Sequence, residues 1–557
     1  MTATTTLEMA RPVSAPPASR IRLALLALAV LMVATPGLLI AMPPLLDYPN
    51  HYVRLWLLSG GAERAPLSQM YAVDWNSAWT NVGMDFIGFT LGRIIPVQVL
   101  GPLLVAAATA LPPLGAALLH RRIFGGWRWW QVGMPLAAFA TTLLAGLINY
   151  QIGIGLALIA ASLDPWLERR LPAAGFLAAR VLLATGLLFM HVFALAFYAV
   201  LLGALALGPR LPSLRDGAAL RAVGLKIVAA AAAVFIPLIA YRLTAPELPG
   251  GGVLSPIWSP WTLKYKLNLL ACAFGTYDLR IDGLFMGALA LIVLAALVRR
   301  ALGVHQGLAM CAAGLTALAL VAPTWLADTA WIDERLPIMA LLAALAAVDP
   351  RFAGGGRRAL AAGAVLLALV AARTAWIGDI WSDRQSDYRS IQRALSHVPA
   401  GASVMPLEHR PSVRGMRHAP PGRYFHFGAG FFHQYTLAVV ERRAFSPLVF
   451  AAPGKQPLKL LAPWVELSAP NGGRAPTFWV LRERPADWVR SQPYVRDWRN
   501  RFDYALMLNA DVLEKVDPPP PGLRLVDDEG YARLYRVYPD KAEARTKKAR
   551  PPEGGRA

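Results

Sequence analysis

The sequence predicts an α-helical polytopic membrane protein of about 11 transmembrane helices, with a small C-terminal extracytoplasmic α/β domain. Three observations lead there. The 557 residues are 56% hydrophobic and only 16% charged, with a mean hydropathy of +0.43; soluble domains carry about 25% charge. Apolar stretches of bilayer-spanning length recur from residue 21 to residue 377. Beyond about Asp379 the composition turns to that of a soluble domain. The same numbers exclude a soluble enzyme, which would need more charge to cover its surface. High apolar content, no three-residue glycine period and only two cysteines exclude disorder, collagen and a disulfide scaffold.

A hydrocarbon core about 30 Å thick needs roughly 20 apolar residues in a helix. Ile21 to Met42 supplies the first, and it is too long for the core of a cleaved signal peptide. Further stretches follow at 97–119, 131–166, 173–208, 223–241, 283–298, 304–326, 335–348 and 357–377. Two are too long for one crossing. Asn149-Tyr150-Gln151 interrupts the first of these and His191 the second, so each reads as a hairpin of two helices.

The arginines choose that reading. Arg11, Arg20, Arg22, Arg121, Arg122, Arg128, Arg169, Arg170, Arg210, Arg215, Arg221, Arg299, Arg300, Arg351, Arg357 and Arg358 then fall on one side. Cytoplasmic loops retain Lys and Arg, so that side is inside. Residues 1–20 are then a cytoplasmic tail, 21–377 the transmembrane domain of a multi-pass inner-membrane protein, and 378–540 a periplasmic domain. Much of the net charge of +21 reflects this topology and attraction to anionic membrane lipids, not nucleic acid. The basic, proline-bearing tail 541–557 reads as disordered.

The first outer loop, 43–96, contains LLDYPNHYVRLWLLSG, where Tyr52, Leu55 and Trp56 share one helical face, as in a helix lying in the interface. Residues 80–95 read likewise. A second loop runs from Arg242 to Asp282, and a short acidic one from Ala327 to Glu334. In the C-terminal region Tyr388–His397 reads as a helix; Ala402–Leu407, Phe502–Leu508, Leu523–Val526 and Ala532–Val537 read as strands. No phosphate-cradling glycine loop, nucleophile elbow or Cys/His metal spacing occurs there. Cys272 and Cys311 fall at different depths and read as buried free thiols.

Asp47 is the leading catalytic candidate. It follows the first span in PPLLDYPNHYVR, where partial desolvation raises a carboxyl pKa and suits it to accept a proton. Its structural alternative is the N-cap of the helix that Pro49 begins. His51 and Arg54 are close enough to join it in one pocket. Lys264, Lys266, Arg280 and Arg335 are candidate phosphate-binding cations, with snorkelling to headgroups as the ordinary reading. For Arg335 the alternative is an ion pair with Asp333 or Glu334. His191, at the apex of a hairpin, could bind a hydroxyl or phosphate, or simply complete a turn.

An apolar N-terminal span ending in an Asp-bearing outer loop, many further spans and a C-terminal outer domain resemble the GT-C class of integral-membrane glycosyltransferases. The segments PPLLDYPNHYVR, LINYQIGIGLAL and LLFMHVFALAFYAVLLG are similar to those of uncharacterised bacterial members. The resemblance implies transfer of a sugar from a polyprenyl-phosphate donor to an acceptor hydroxyl of a glycan, lipid or protein. It places the acceptor-activating acid on Asp47. Many members carry a second acid in the next outer loop; here that loop is Asn149-Tyr150-Gln151, which leaves a divalent metal an open question. Two other classes stand beside this one. A transporter or flippase would place ionisable residues in mid-span, with an inverted repeat of its halves. A non-catalytic envelope scaffold would use the outer domain alone.

Overall fold

The computed structural model describes residues 17–208, 216–244, 255–326, 329–351, 357–512 and 516–539. The expected disordered tail at 541–557, the first 16 residues of the N-terminal tail, and Arg210 and Arg215 lie outside them. The chain is mostly helical. The long or apolar helices are α1 (Pro17–Leu39), α4 (Val97–Phe124), α6 (Ile148–Arg170), α7 (Ala173–Met190), α8 (Val192–Leu207), α9 (Gly217–Thr244), α11 (Leu279–Val298), α12 (Gln306–Val321), α13 (Ile332–Ala347) and α14 (Arg357–Asp383). Shorter helices are α2 (Tyr48–Leu58), α3 (Gly83–Thr90), α5 (Thr141–Leu144), α10 (Leu263–Ala271) and α15 (Gln385–Leu395). Among the described residues seven helices are long and apolar enough to cross a membrane, and α8 and α12 are shorter apolar helices. The chain is a membrane protein.

The stretch 173–208 does form two helices, parted at His191. The stretch 131–166 does not. Asn149-Tyr150-Gln151 is the first turn of α6 rather than a loop, and 129–147 folds as 3₁₀ turns over Trp129–Ala137 followed by the single turn α5. This segment packs against α1, and bonds flank the contact on both sides. Arg22 donates to Trp127 O at one end (3.1 Å), and Leu46 N and Asp47 N donate to Leu144 O and Ala145 O at the other (2.9 and 3.1 Å).

Irregular backbone at membrane depth survives only where protein satisfies its polar groups. Here Arg373 of α14 supplies them, donating to Leu136 O, to Phe139 O (3.1 Å) and to Phe274 O (2.6 Å) while paired with Asp282 (2.6 Å). Trp130 Nε1 reaches Leu345 O, Gln131 Nε2 reaches Ala117 O, and Thr141 Oγ1 reaches Gly275 O. An ideal helix would have needed none of these. Helices α4 and α6 close on the segment, and their backbones meet at Gly115 and Gly155, where a Cβ on Gly115 would lie 2.6 Å from Gly155 O.

In the C-terminal region the strands Leu523–Asp528, Ala532–Val537, Tyr504–Leu508 and Val404–Glu408 form one sheet in that spatial order. The last two pair in parallel and the rest are antiparallel. Val404–Glu408 and Tyr504–Leu508 are buried throughout, and α15 packs against Ala532–Val537. The sheet region is also tied to the first loop: Tyr71–Val73 pairs antiparallel with Leu458–Leu460.

That contact corrects the reading of α2. It is not an interfacial helix with one face in lipid, because ten of its eleven residues are buried. Residues 431–450 cover it, and Asn50 bonds Leu448 O (2.7 Å) and Phe450 N (2.7 Å). The α3 segment does expose Phe86, Leu91 and Ile94. Cys272 and Cys311 are both free and buried.

A candidate donor and acceptor pocket

Asp47 occupies the N-cap position of α2, but its carboxylate bonds none of that helix's N–H groups. The chain enters too close to its neighbours for an ordinary cap. Asp47 N is held by Ala145 O, and the turn against it needs Gly146 (φ +77°), whose Cβ would stand 2.6 Å from Asp47 N. The carboxylate instead faces a cavity of about 110 Å³ lined by His51, Asn81, Asn149, Tyr150, His191, Arg335, Phe450 and Gln456 among others. Its side chain is 20% exposed, and His433 Nε2 lies 3.3 Å from Oδ1.

Beside this cavity is a second of about 250 Å³, lined by Thr80, Tyr241, Thr329, Gly454 and Lys455. The two share Asn81, His191, Arg335 and Gln456. They are two lobes of one site, with Arg335 and His191 on the partition.

Arg335 pairs with neither Asp333 nor Glu334, so that expectation is corrected. Its guanidinium turns the other way, over the rings of Tyr150 and Phe193 (5.7 and 5.2 Å), and its Nη1 lies 2.9 Å from His191 Nε2. Asp47 acts on it electrostatically across the cavity. Tyr150 OH donates to Arg335 O (2.6 Å) and holds the turn. His191 caps α8, its Nδ1 accepting from Phe193 N (3.1 Å). A neutral imidazole has one acceptor nitrogen, and Phe193 N and Arg335 Nη1 approach opposite ring nitrogens of His191, so one of the two contacts is a hydrogen bond at a time. The guanidinium and the imidazole are thereby held against each other on the partition between the two lobes.

Arg54 does not line the cavity. It is buried beneath it in a two-pronged pair with Asp85 (Nη2–Oδ2 3.0 Å) and donates from Nη2 to His51 Nδ1 (3.2 Å). Burial raises the Asp85 carboxyl pKa and Arg54 lowers it again; burial, then Arg54 and His433, hold His51 well below the ordinary imidazole range. His51 is therefore neutral, and with Nδ1 accepting from Arg54 its Nε2 carries the proton.

The other expected cations lie elsewhere. Lys264 and Arg280 are exposed, and Lys266 sits over the Trp261 ring (4.5 Å) and bonds Ser259 Oγ (3.2 Å). Their sequence signal was position near a span end, which snorkelling shares. Asn149 is a positioning group: its Oδ1 accepts from Met84 N (2.8 Å) and its Nδ2 donates to Asn81 O (2.8 Å).

Sequence reasoning missed His433, Phe450, Lys455 and Gln456. They reach the pocket from nearly 400 residues downstream, and no local pattern marks them. Among the described residues no group of three or more His, Cys, Asp or Glu converges as a metal site.

No family model matches the chain, and no curated protein matches it. It is similar to two crystal structures of ArnT from Cupriavidus metallidurans. The one bound to undecaprenyl phosphate aligns at 12% identity and TM-score 0.46, and the apo one at 12% and 0.48. Each alignment covers 93% of this chain and 98% of that one.

Proposed function

We propose that this protein is a membrane glycosyltransferase that moves a sugar from a polyprenyl-phosphate donor to an acceptor hydroxyl on the outer face of the inner membrane. The reading includes eleven crossings, ten helical and one the broken segment 129–147, with the N-terminus inside and the C-terminal region outside. One observation carries it. A carboxylate freed from helix capping faces, across a single cavity, the buried Arg335 guanidinium and its neighbour His191.

The donor phosphate occupies the partition, held by the Arg335 guanidinium beside His191, with its prenyl chain leaving past Val192 and Tyr241. The acceptor hydroxyl lies against Asp47. Asp47 takes its proton as the acceptor oxygen forms a bond to the anomeric carbon, and the bond from that carbon to the phosphate oxygen breaks. Negative charge develops on the departing phosphate, where preorganised donors act most strongly. One displacement inverts the anomeric configuration. His433 orients the Asp47 carboxylate, and no step is routed through a metal.

The test is transfer from a radiolabelled polyprenyl-phosphate sugar to membrane acceptors by purified wild type and Asp47→Asn. A loss of about 10²–10⁴-fold is expected, the usual range for removing a general base. Equal turnover by both proteins rejects the assignment.

A further inference from the structure

Apart from the transfer pocket, a cavity of about 570 Å³ lies in the C-terminal region, at the leading ends of the parallel strands Val404–Glu408 and Tyr504–Leu508. Ser403 and Asp503, the residues just before those strands, line it together with Arg499, Arg501 and Arg536. Trp464 and Glu466 of the segment 461–467 also line it. Its volume falls within the range of about 300–1,000 Å³ usual for small-ligand pockets.

The lining is mixed in character and held in place. Ser403 N donates to Asp503 Oδ2 (3.0 Å), and Asp503 N donates back to Ser403 Oγ (3.0 Å). The Arg536 guanidinium lies over the Tyr504 ring (4.6 Å), Arg501 is 4.0 Å from Asp497, and the Trp464 ring rests against Phe445 (4.6 Å). Groups fixed before a ligand arrives lose little freedom on binding it. A bare anion entering here meets the Glu466 and Asp503 carboxylates. An apolar molecule strips water from guanidinium and carboxylate groups and returns nothing. A sugar suits both, since each hydroxyl can donate to a carboxylate and accept from a guanidinium, while the C–H face of its ring covers an indole.

The cavity is also joined to the transfer pocket. Gly454, Lys455 and Gln456 line that pocket, Leu458–Leu460 pairs with Tyr71–Val73, and Leu461 N donates to Met70 O (2.9 Å). Pro463 and Trp464 then line the cavity. Gln456 and Pro463 are thus at most about 25 Å apart, the reach of the intervening chain fully extended, a length that a short oligosaccharide covers.

We propose that this cavity is a saccharide-binding site. Under the transfer reading, on which this further role rests, it seats the far units of a glycan acceptor whose reacting hydroxyl lies at Asp47. The binding itself does not need that reading.

Purified full-length protein is titrated by calorimetry with maltotriose, cellotriose and chitotriose, and separately with inorganic phosphate. Saturable binding of at least one trisaccharide is expected. Arg536→Gln and Glu466→Gln each weaken it roughly tenfold or more, the scale of losing one charge-assisted hydrogen bond. Glu466 is exposed, so its variant keeps the wild-type melting temperature and separates lost binding from lost folding. Asp47→Asn binds the trisaccharide as wild type does, so a failure of the transfer reading leaves the site standing. A wild type that binds none of the three trisaccharides overturns the proposal, whether or not it binds phosphate. So does binding that Asp47→Asn abolishes while Arg536→Gln and Glu466→Gln leave it unchanged, for the sugar then sits in the transfer pocket.

Discussion

The chain holds two acid–arginine constellations built from the same residue types, and they have opposite characters. Arg373 and Asp282 are 1% and 0% exposed, in direct contact, and surrounded by acceptors and donors that use them: three carbonyls on Arg373, Thr276 N and Oγ1 on Asp282. Arg335 and Asp47 are held apart by a cavity, with Asp47 partly exposed. The first is a closed joint that replaces the missing helical hydrogen bonds of 129–147. The second is open, and in the proposed reaction a substrate fills the gap. Residue type and depth do not separate the two; direct contact of the charges in one and a cavity between them in the other does.

Breaking the closed joint has the largest effect. Arg373→Met leaves Asp282 as an uncompensated buried charge and frees three carbonyls, so a loss of about 3–5 kcal/mol is expected. Unfolding of the detergent-solubilised variant measures it. A melting temperature equal to that of wild type erases the distinction drawn between the two constellations.

The open site answers differently. Arg335→Gln is expected to lower transfer by about 10²–10³-fold, the scale of losing one preorganised donor, with little change in melting temperature. Were this variant instead to melt as early as Arg373→Met, Arg335 would belong with the structural class. Lys264→Gln is the smallest perturbation. It is exposed at the start of α10 and touches neither constellation, so transfer and stability both stay at the wild-type level. A clear fall in transfer would move the phosphate grip from Arg335 to the α10 loop.

Much of the bundle was legible because hydropathy is a local property. The helix pair parted at His191 and the four strands of the C-terminal sheet stand close to where pattern placed them. Asp47 stood out for its position between a span and a proline-led helix. The division at Asn149 was misread because a polar triplet inside an apolar run looks the same whether it turns the chain or starts a helix. The burial of α2 was misread because its amphipathic face meets residues 431–450, which no window on the first loop contains.

Sequence alone therefore determined that the chain lives in a membrane, which stretches are apolar enough to cross it, and where a carboxylate sits at the boundary. Tertiary structure alone decided that 131–147 folds as short turns instead of a long helix, that Arg335 turns from its neighbouring acids toward Asp47, and that His433 arrives from the far end of the chain. The reason is the range of the forces concerned. Apolar transfer is counted residue by residue, whereas a buried polar group is satisfied by whichever partner the fold delivers, however distant in the chain.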